Sequence, residues 1–249
     1  MRKTIITLVL ALSAWMAQAQ DTTRYGEDIY GELKLPELLR ELNKIEKLQW
    51  IRLLYCYPDR ITDELIDAIA ENEKVCNYID IPMQHADGEV LKAMNRKGDK
   101  ESLLALVEKI RAKIPDVVLR TTFITGFPGE TEEAFTTLSE FVNEAKFEKL
   151  GVFKYSKEEG TPAARLPEQV HPKTKQSRLD KIMSLEQQIS KIKLEEKIGN
   201  TYEALVDGFS EDGKFNPSNV VSKELKHAKD CLTFKMLVDM FQNLYTQYD

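Results

Sequence analysis

With 249 residues, 42% of them apolar and 31% charged, the chain has enough apolar material to bury a core, which excludes a wholly disordered protein. A formal net charge of −6 argues against a dedicated nucleic-acid binder, and only 11 glycines and 9 prolines argue against a linker-rich or fibrous one. The three cysteines and three histidines are scattered without a Cys-x-x-Cys, so sequence neighbours encode neither a zinc ribbon nor a thioredoxin-type redox pair.

Residues 1–19 resemble a secretory signal peptide, with a Met-Arg-Lys start, an apolar run from Ile5 and a small-x-small Ala17-Gln18-Ala19. The run is shorter than the roughly 20 apolar residues of a stable membrane span. The other reading of the same run is a buried strand of a parallel sheet.

Next, Leu35, Leu38, Leu39 and Leu42 mark one helix face, with Pro36 suited to its first turn. Residues 50–57 read as a strand closed by Pro58-Asp59, and Thr62 as the cap of a helix carrying Leu65, Ile66 and Ile69. A second strand runs over 78–82. Asp87 and Asp99 each suit a helix cap, the second ahead of Leu103, Leu104, Val107 and Ile110. Residues 117–125 are a β-branched third strand, Gly126 to Glu130 a turn, and Thr131 caps a helix with Phe135, Leu138, Phe141 and Val142 inward. A fourth strand covers 150–155. Strands alternating with helices mean right-handed βαβ units and a parallel sheet; spacing alone does not separate open sheet from barrel.

A long charged helix follows over 173–198, with Leu179, Ile182, Leu185, Ile189 and Ile192 in one stripe and its Lys/Glu face read as solvated. Residues 201–207 resemble a lone strand, 208–217 a polar linker, and 220–248 a last amphipathic helix.

In a parallel α/β protein ligands bind at the carboxyl ends of the strands. The segments there are 21–26, 55–58, 82–85, 126–130 and 155–161. Each has a plain structural reading: Gly126 and Gly129 as turn glycines, His85 as a satisfied buried histidine, Cys56 and Cys76 as core thiols. Glu130, Glu132 and Glu133 crowd the following helix start and argue against a phosphate cradle. Arg96 suits either a carboxylate or a solvated helix end.

Taken together, Asp-Thr-Thr-Arg-Tyr-Gly (21–26), 50–58, Tyr-Ile-Asp-Ile-Pro-Met-Gln-His (78–85), 90–94, Arg-Thr-Thr-Phe-Ile-Thr-Gly-Phe-Pro-Gly-Glu-Thr (120–131) and 151–163 closely resemble the radical-SAM methylthiotransferases, of the RimO type. The resemblance covers about 20–208. It implies an α/β fold, an incomplete (βα)6 partial barrel with C-terminal helices and a truncated TRAM-like strand. The implied layout is a signal-like segment or substitute strand (1–19), a barrel core (20–172), a helix and the start of a TRAM-like region (173–208), and an unrecognised helical tail (209–249).

It also implies S-adenosylmethionine and a four-iron, four-sulfur cluster as cofactors, with Gln84, Gly126, Pro128 and Tyr155 near the former. The family's Cys-x-x-x-Cys-x-x-Cys lies upstream of Asp-Thr-Thr, whereas this sequence has no cysteine before Cys56, so the cluster ligands are expected to be absent from this chain and its activity doubtful. The implied partner is a small-subunit ribosomal protein, methylthiolated on an aspartate in the cytoplasm, with no direct nucleic-acid binding and no stable membrane span. The alternative is an exported, non-catalytic binding protein on a barrel scaffold.

Overall fold

The computed structural model describes residues 21–199, 204–206 and 220–222. It divides into a larger unit ending at Lys193 and a smaller one beginning at Leu194. The expectations for 1–19, and for most of 209–249, lie outside the described residues.

The larger unit is built on one parallel sheet with strands in the order β1 (Ile51–Leu53), β2 (Val75–Gln84), β3 (Val118–Thr125), β4 (Lys149–Lys154). Before it come α1 (Glu27–Tyr30) and α2 (Leu35–Asn43). Between strands lie α3 (Asp63–Glu71), α4 (Gly88–Ala93), α5 (Lys100–Lys113) and α6 (Glu132–Ala145), and α7 (Pro172–Glu195) follows β4.

The helices start where side chains satisfy their first amides. Thr62, Asp87 and Thr131 accept from Leu65, Val90 and Ala134, and Asp99 with Ser102 forms a reciprocal capping box. Alternation along the strands then sorts the sheet into two faces. Ile51, Leu53, Ile79, Ile81, Leu119, Phe123 and Leu150 enter the main core with Leu39, Ile66, Ile110, Leu138 and Phe141 from the helices. Phe123, Phe141 and Phe147 meet edge to face with centroids 5.8–6.1 Å apart. The opposite face carries Arg52, Tyr78, Asp80, Arg120, Thr122, Gly151 and Phe153, by the same alternation and pairing register.

Three expectations need correction. The strand read over 50–57 ends at Leu53, because Tyr55 turns through a left-handed backbone (φ 57°) and Pro58 opens a 3-10 turn. The charged face of α7 is not wholly solvated: Arg178 and Glu186 are buried while Ile192 is 57% exposed, since the polar pair faces buried carboxylate and strand ends. In the smaller unit, β5 (Ala204–Val206) is not a lone strand but pairs antiparallel with β6 (Val220–Ser222), so no helix begins at Val220. The β-branched Val220-Val221 pair favours extended backbone.

Among the described residues no helix is long and apolar enough to cross a membrane.

Candidate functional site

Three consecutive strand ends turn through left-handed backbone: Tyr55 (φ 57°) beyond β1, Gln84 (φ 71°) ending β2, and Gly126 (φ 72°) after β3. Two of the three are not glycine, a conformation that costs of order 1–3 kcal/mol and persists where the surroundings over-determine it. Around Tyr55 the cause is visible. Thr22 N–H donates to Tyr55 O at 3.1 Å, Cys56 N–H to Asp80 O at 2.8 Å, and Tyr57 N–H to the Asp21 carboxylate at 3.3 Å. Residues 21–25 are thereby stitched to the end of β1.

This stitching forms one wall of a cleft of about 970 Å³, lined among others by Asp21, Tyr25, Tyr57, Arg60, Met83 and Arg96. Arg60 faces the carboxylates of Asp21 and Glu27 at 3.6 and 3.4 Å. Arg96 differs. Its guanidinium donates to Pro82 O at 3.1 Å and lies 4.6 Å from the centroid of the Tyr57 ring, with no carboxylate partner among the described residues. It is a half-buried, pre-oriented cation at the carboxyl ends of β1 and β2, not a solvated helix end.

A second, drier cluster lies at the ends of β2–β4. Glu130 is buried and turns inward. Its carboxylate accepts from Gly126 N–H at 2.6 Å and from Arg178 at 2.7 Å. It is therefore no part of the acidic helix start with which the sequence grouped it. His85, also buried, accepts from Asp87 N–H at Nδ1 (3.0 Å); its Nε2, 3.6 Å from Glu130 Oε2, has no hydrogen-bond partner. His85 is thus only half satisfied. Tyr155 packs on Phe127 (5.2 Å between centroids) beside buried Pro128, and its hydroxyl is buried without a partner.

Lys175 of α7 lies across this cluster, donating to Tyr155 O at 3.1 Å with its ammonium 4.6 Å from the Tyr155 ring centroid. Burial lowers its pKa, opposed by Glu130. A Cβ built on Gly126 would meet the Lys175 side chain, Cβ and Cδ each at 3.0 Å. Glycine is needed there for its positive φ and for the close approach of Lys175.

Gly126, Pro128 and Tyr155 are therefore brought together, with Gln84 at the neighbouring strand end, but none of the four lines the 970 Å³ cleft. The sequence reading missed Lys175 and Arg178, which reach the cluster from a helix some 50 residues beyond β3. In a Lys/Glu-rich helix, no local signal marks them.

Cys56 and Cys76 are fully buried, and burial pushes the Cys56 thiol far above its usual range, with Asp80 adding to the effect. Among the described residues no group of three His, Cys, Asp or Glu side chains is placed to hold a metal ion.

The sequence profile of the Radical SAM superfamily matches residues 21–142. The ribosomal protein uS12 methylthiotransferase RimO of Alkaliphilus oremlandii is 59% identical over 197 residues, 79% of this chain and 45% of that protein. The RimO of Desulforamulus reducens is 52% identical over 196 residues, again 79% of this chain and 44% of the relative. The chain thus spans less than half the length of these relatives. Among solved structures, coproporphyrinogen III oxidase (HemN) of Escherichia coli, a radical SAM enzyme, superposes with a TM-score of 0.52 at 21% identity, over 63% of this chain and 37% of that one. That likeness shows the fold.

Proposed function

Because this chain belongs to the radical SAM superfamily and, within it, to the RimO-type methylthiotransferases, we propose that it is the S-adenosylmethionine-binding part of a methylthiotransferase acting on an aspartate of ribosomal protein uS12. The observation that carries the reading is the ring-stacked Arg96 on the wall of the cleft, which has no carboxylate partner among the described residues. The cleft volume lies within the usual range for small-ligand sites of about 300–1,000 Å³. S-adenosylmethionine is a zwitterionic amino acid joined through a sulfonium to a nucleoside. Arg96 takes its carboxylate, and the carboxylates of Asp21, Glu27 and Asp59 along the cleft favour its cationic groups. Gln84, Gly126, Pro128 and Tyr155 are the residues proposed to border the remainder, where the unpartnered Tyr155 hydroxyl offers a hydrogen bond. When bound, S-adenosylmethionine supplies a methyl group and a cleavable sulfonium bond; the chain's residues bind and orient it.

The iron–sulfur cluster does not fit the described residues. Cys56 and Cys76 are buried, and among the described residues no group of three His, Cys, Asp or Glu side chains is placed to hold a metal ion. The thiolates for a cluster are proposed to come from outside the described residues. The cytoplasm is the proposed location, and uS12 the proposed partner. The alternative of an exported binding protein finds no support in the relatives.

The test is calorimetric. The chain should bind S-adenosylmethionine more tightly than 5′-methylthioadenosine, which lacks the amino-acid end, and Arg96→Gln should erase that difference. Absence of S-adenosylmethionine binding by the unaltered chain overturns the reading.

A further inference from the structure

We propose that Lys175 gates the strand-end surface made by Gly126 and the Tyr155 ring: its side chain closes that surface in the free protein, and the nucleobase of S-adenosylmethionine takes its place when the cofactor binds. This inference rests on the cofactor reading above and adds to it the group that must move.

The frame of the gate is fixed. Arg178 ties the first turns of α7 to the end of β3, donating to Glu130 Oε1 at 2.7 Å and to Glu130 O at 2.8 Å. The Lys154 ammonium donates to Gln176 Oε1 at 2.7 Å, and Thr125 Oγ1 to Lys175 O at 3.4 Å. These contacts hold the backbone around residue 175. Its side chain is held more lightly. The ammonium makes one described hydrogen bond, to Tyr155 O at 3.1 Å, and lies 4.6 Å from the Tyr155 ring centroid. Burial disfavours its charge and lowers its pKa, with Glu130 opposing. A flexible four-carbon stem lets the ammonium swing into water with no change of backbone.

What the side chain covers suits a planar ring. Gly126 is buried, and the Lys175 stem supplies the three atoms nearest to the position a Cβ would take there. Moving the stem uncovers a floor without a side chain, next to the Tyr155 ring on which the ammonium had rested. An aromatic ring of this kind is the usual stacking partner of a nucleobase, whatever the base. The Tyr155 hydroxyl, buried without a partner, supplies a hydrogen bond for the edge of the base.

The covered surface adjoins the open cleft. Met94 packs against the same small apolar cluster as Tyr155, while Asn95 and Arg96 line the cleft. Two residues of chain span at most about 7 Å. A ligand held by its carboxylate at Arg96 therefore has its nucleoside end within reach of Tyr155. Gly126 and Tyr155 themselves stay out of the cleft while Lys175 lies on them.

The full chain is prepared with ¹³C-labelled lysine, and the Lys175 Cε–H resonances are assigned by their loss in Lys175→Arg. In the free protein the Tyr155 ring should hold them upfield of the other lysines. Saturating S-adenosylmethionine or 5′-methylthioadenosine, which share the nucleoside, should move them to the position of solvated lysines. By calorimetry, Lys175→Ala should bind both compounds about tenfold more tightly than the unaltered chain. Lys175 resonances that stay upfield at saturation overturn the gate and leave the cofactor reading standing. So does equal affinity of the variant and the unaltered chain. A gain for S-adenosylmethionine without one for the uncharged 5′-methylthioadenosine reports only the removal of a positive charge, and also overturns the gate. Failure of both compounds to bind either protein overturns the cofactor reading and the gate together.

Discussion

Arg178 donates both to the carboxylate and to the backbone carbonyl of Glu130, at 2.7 and 2.8 Å, and so clamps the first turns of α7 to the end of β3. Both side chains are buried, 7% and 0% exposed. Removing one member of such a pair leaves an uncompensated charge and typically costs about 3–5 kcal/mol. Arg178→Ala should lower stability in urea by that amount, and adding Glu130→Gln should recover part of it. A loss below about 1 kcal/mol would show that the clamp contributes little.

Gly126 and Lys175 make the second contact between the end of β3 and α7. Gly126→Ala places a side chain on a left-handed backbone of φ 72° and against the Lys175 stem. The expected loss is roughly 1–3 kcal/mol. Lys175→Ala in the same chain should restore the steric part and leave the backbone part. Unfolding midpoints of the two single variants and the double variant separate the two contributions.

Glu186 carries a pH signature. Burial raises its pKa to about 7, with Glu148 adding to the rise and Lys149 opposing it. One of its oxygens, Oε2, is buried without a partner. The folded pKa stands above the unfolded carboxyl value of about 4.3. The folded state therefore holds this proton more tightly, and the group's contribution to stability falls as pH rises from about 4.5 to about 7. Glu186→Gln should be more stable than the unaltered chain at pH 8, with the gap closing near pH 4.5. Parallel stability–pH curves for the two proteins would refute this.

Phe141 touches Phe123 and Phe147 in the fully buried aromatic group between α6 and the sheet. Phe141→Ala should cost about 3–5 kcal/mol, from lost burial and the cavity left behind. Urea denaturation with an unchanged slope checks it.

Much of this protein was legible in its sequence where the physics is local. Thr62, Asp87, Asp99 and Thr131 cap the helices they were expected to cap, because a cap needs only an oxygen and an amide two or three residues on. Alternating β-branched residues placed four parallel strands, and Cys56 and Cys76 are the buried thiols their apolar flanks implied. What depends on register was not legible. Asp80 and Arg120 are 40 residues apart, and only the pairing of β2 with β3 makes them partners. Arg178 and Glu186 looked like part of a solvated face until α7 was seen to lay them against β-strand ends and buried carboxylates. Tyr55 and Gln84 carry no glycine signal, yet both turn left-handed, in Tyr55's case under hydrogen bonds from neighbouring segments. Local periodicity and capping energies act over a few residues and can be read along the chain. Which polar groups share an interior is set by long-range packing, and only the tertiary structure decides it.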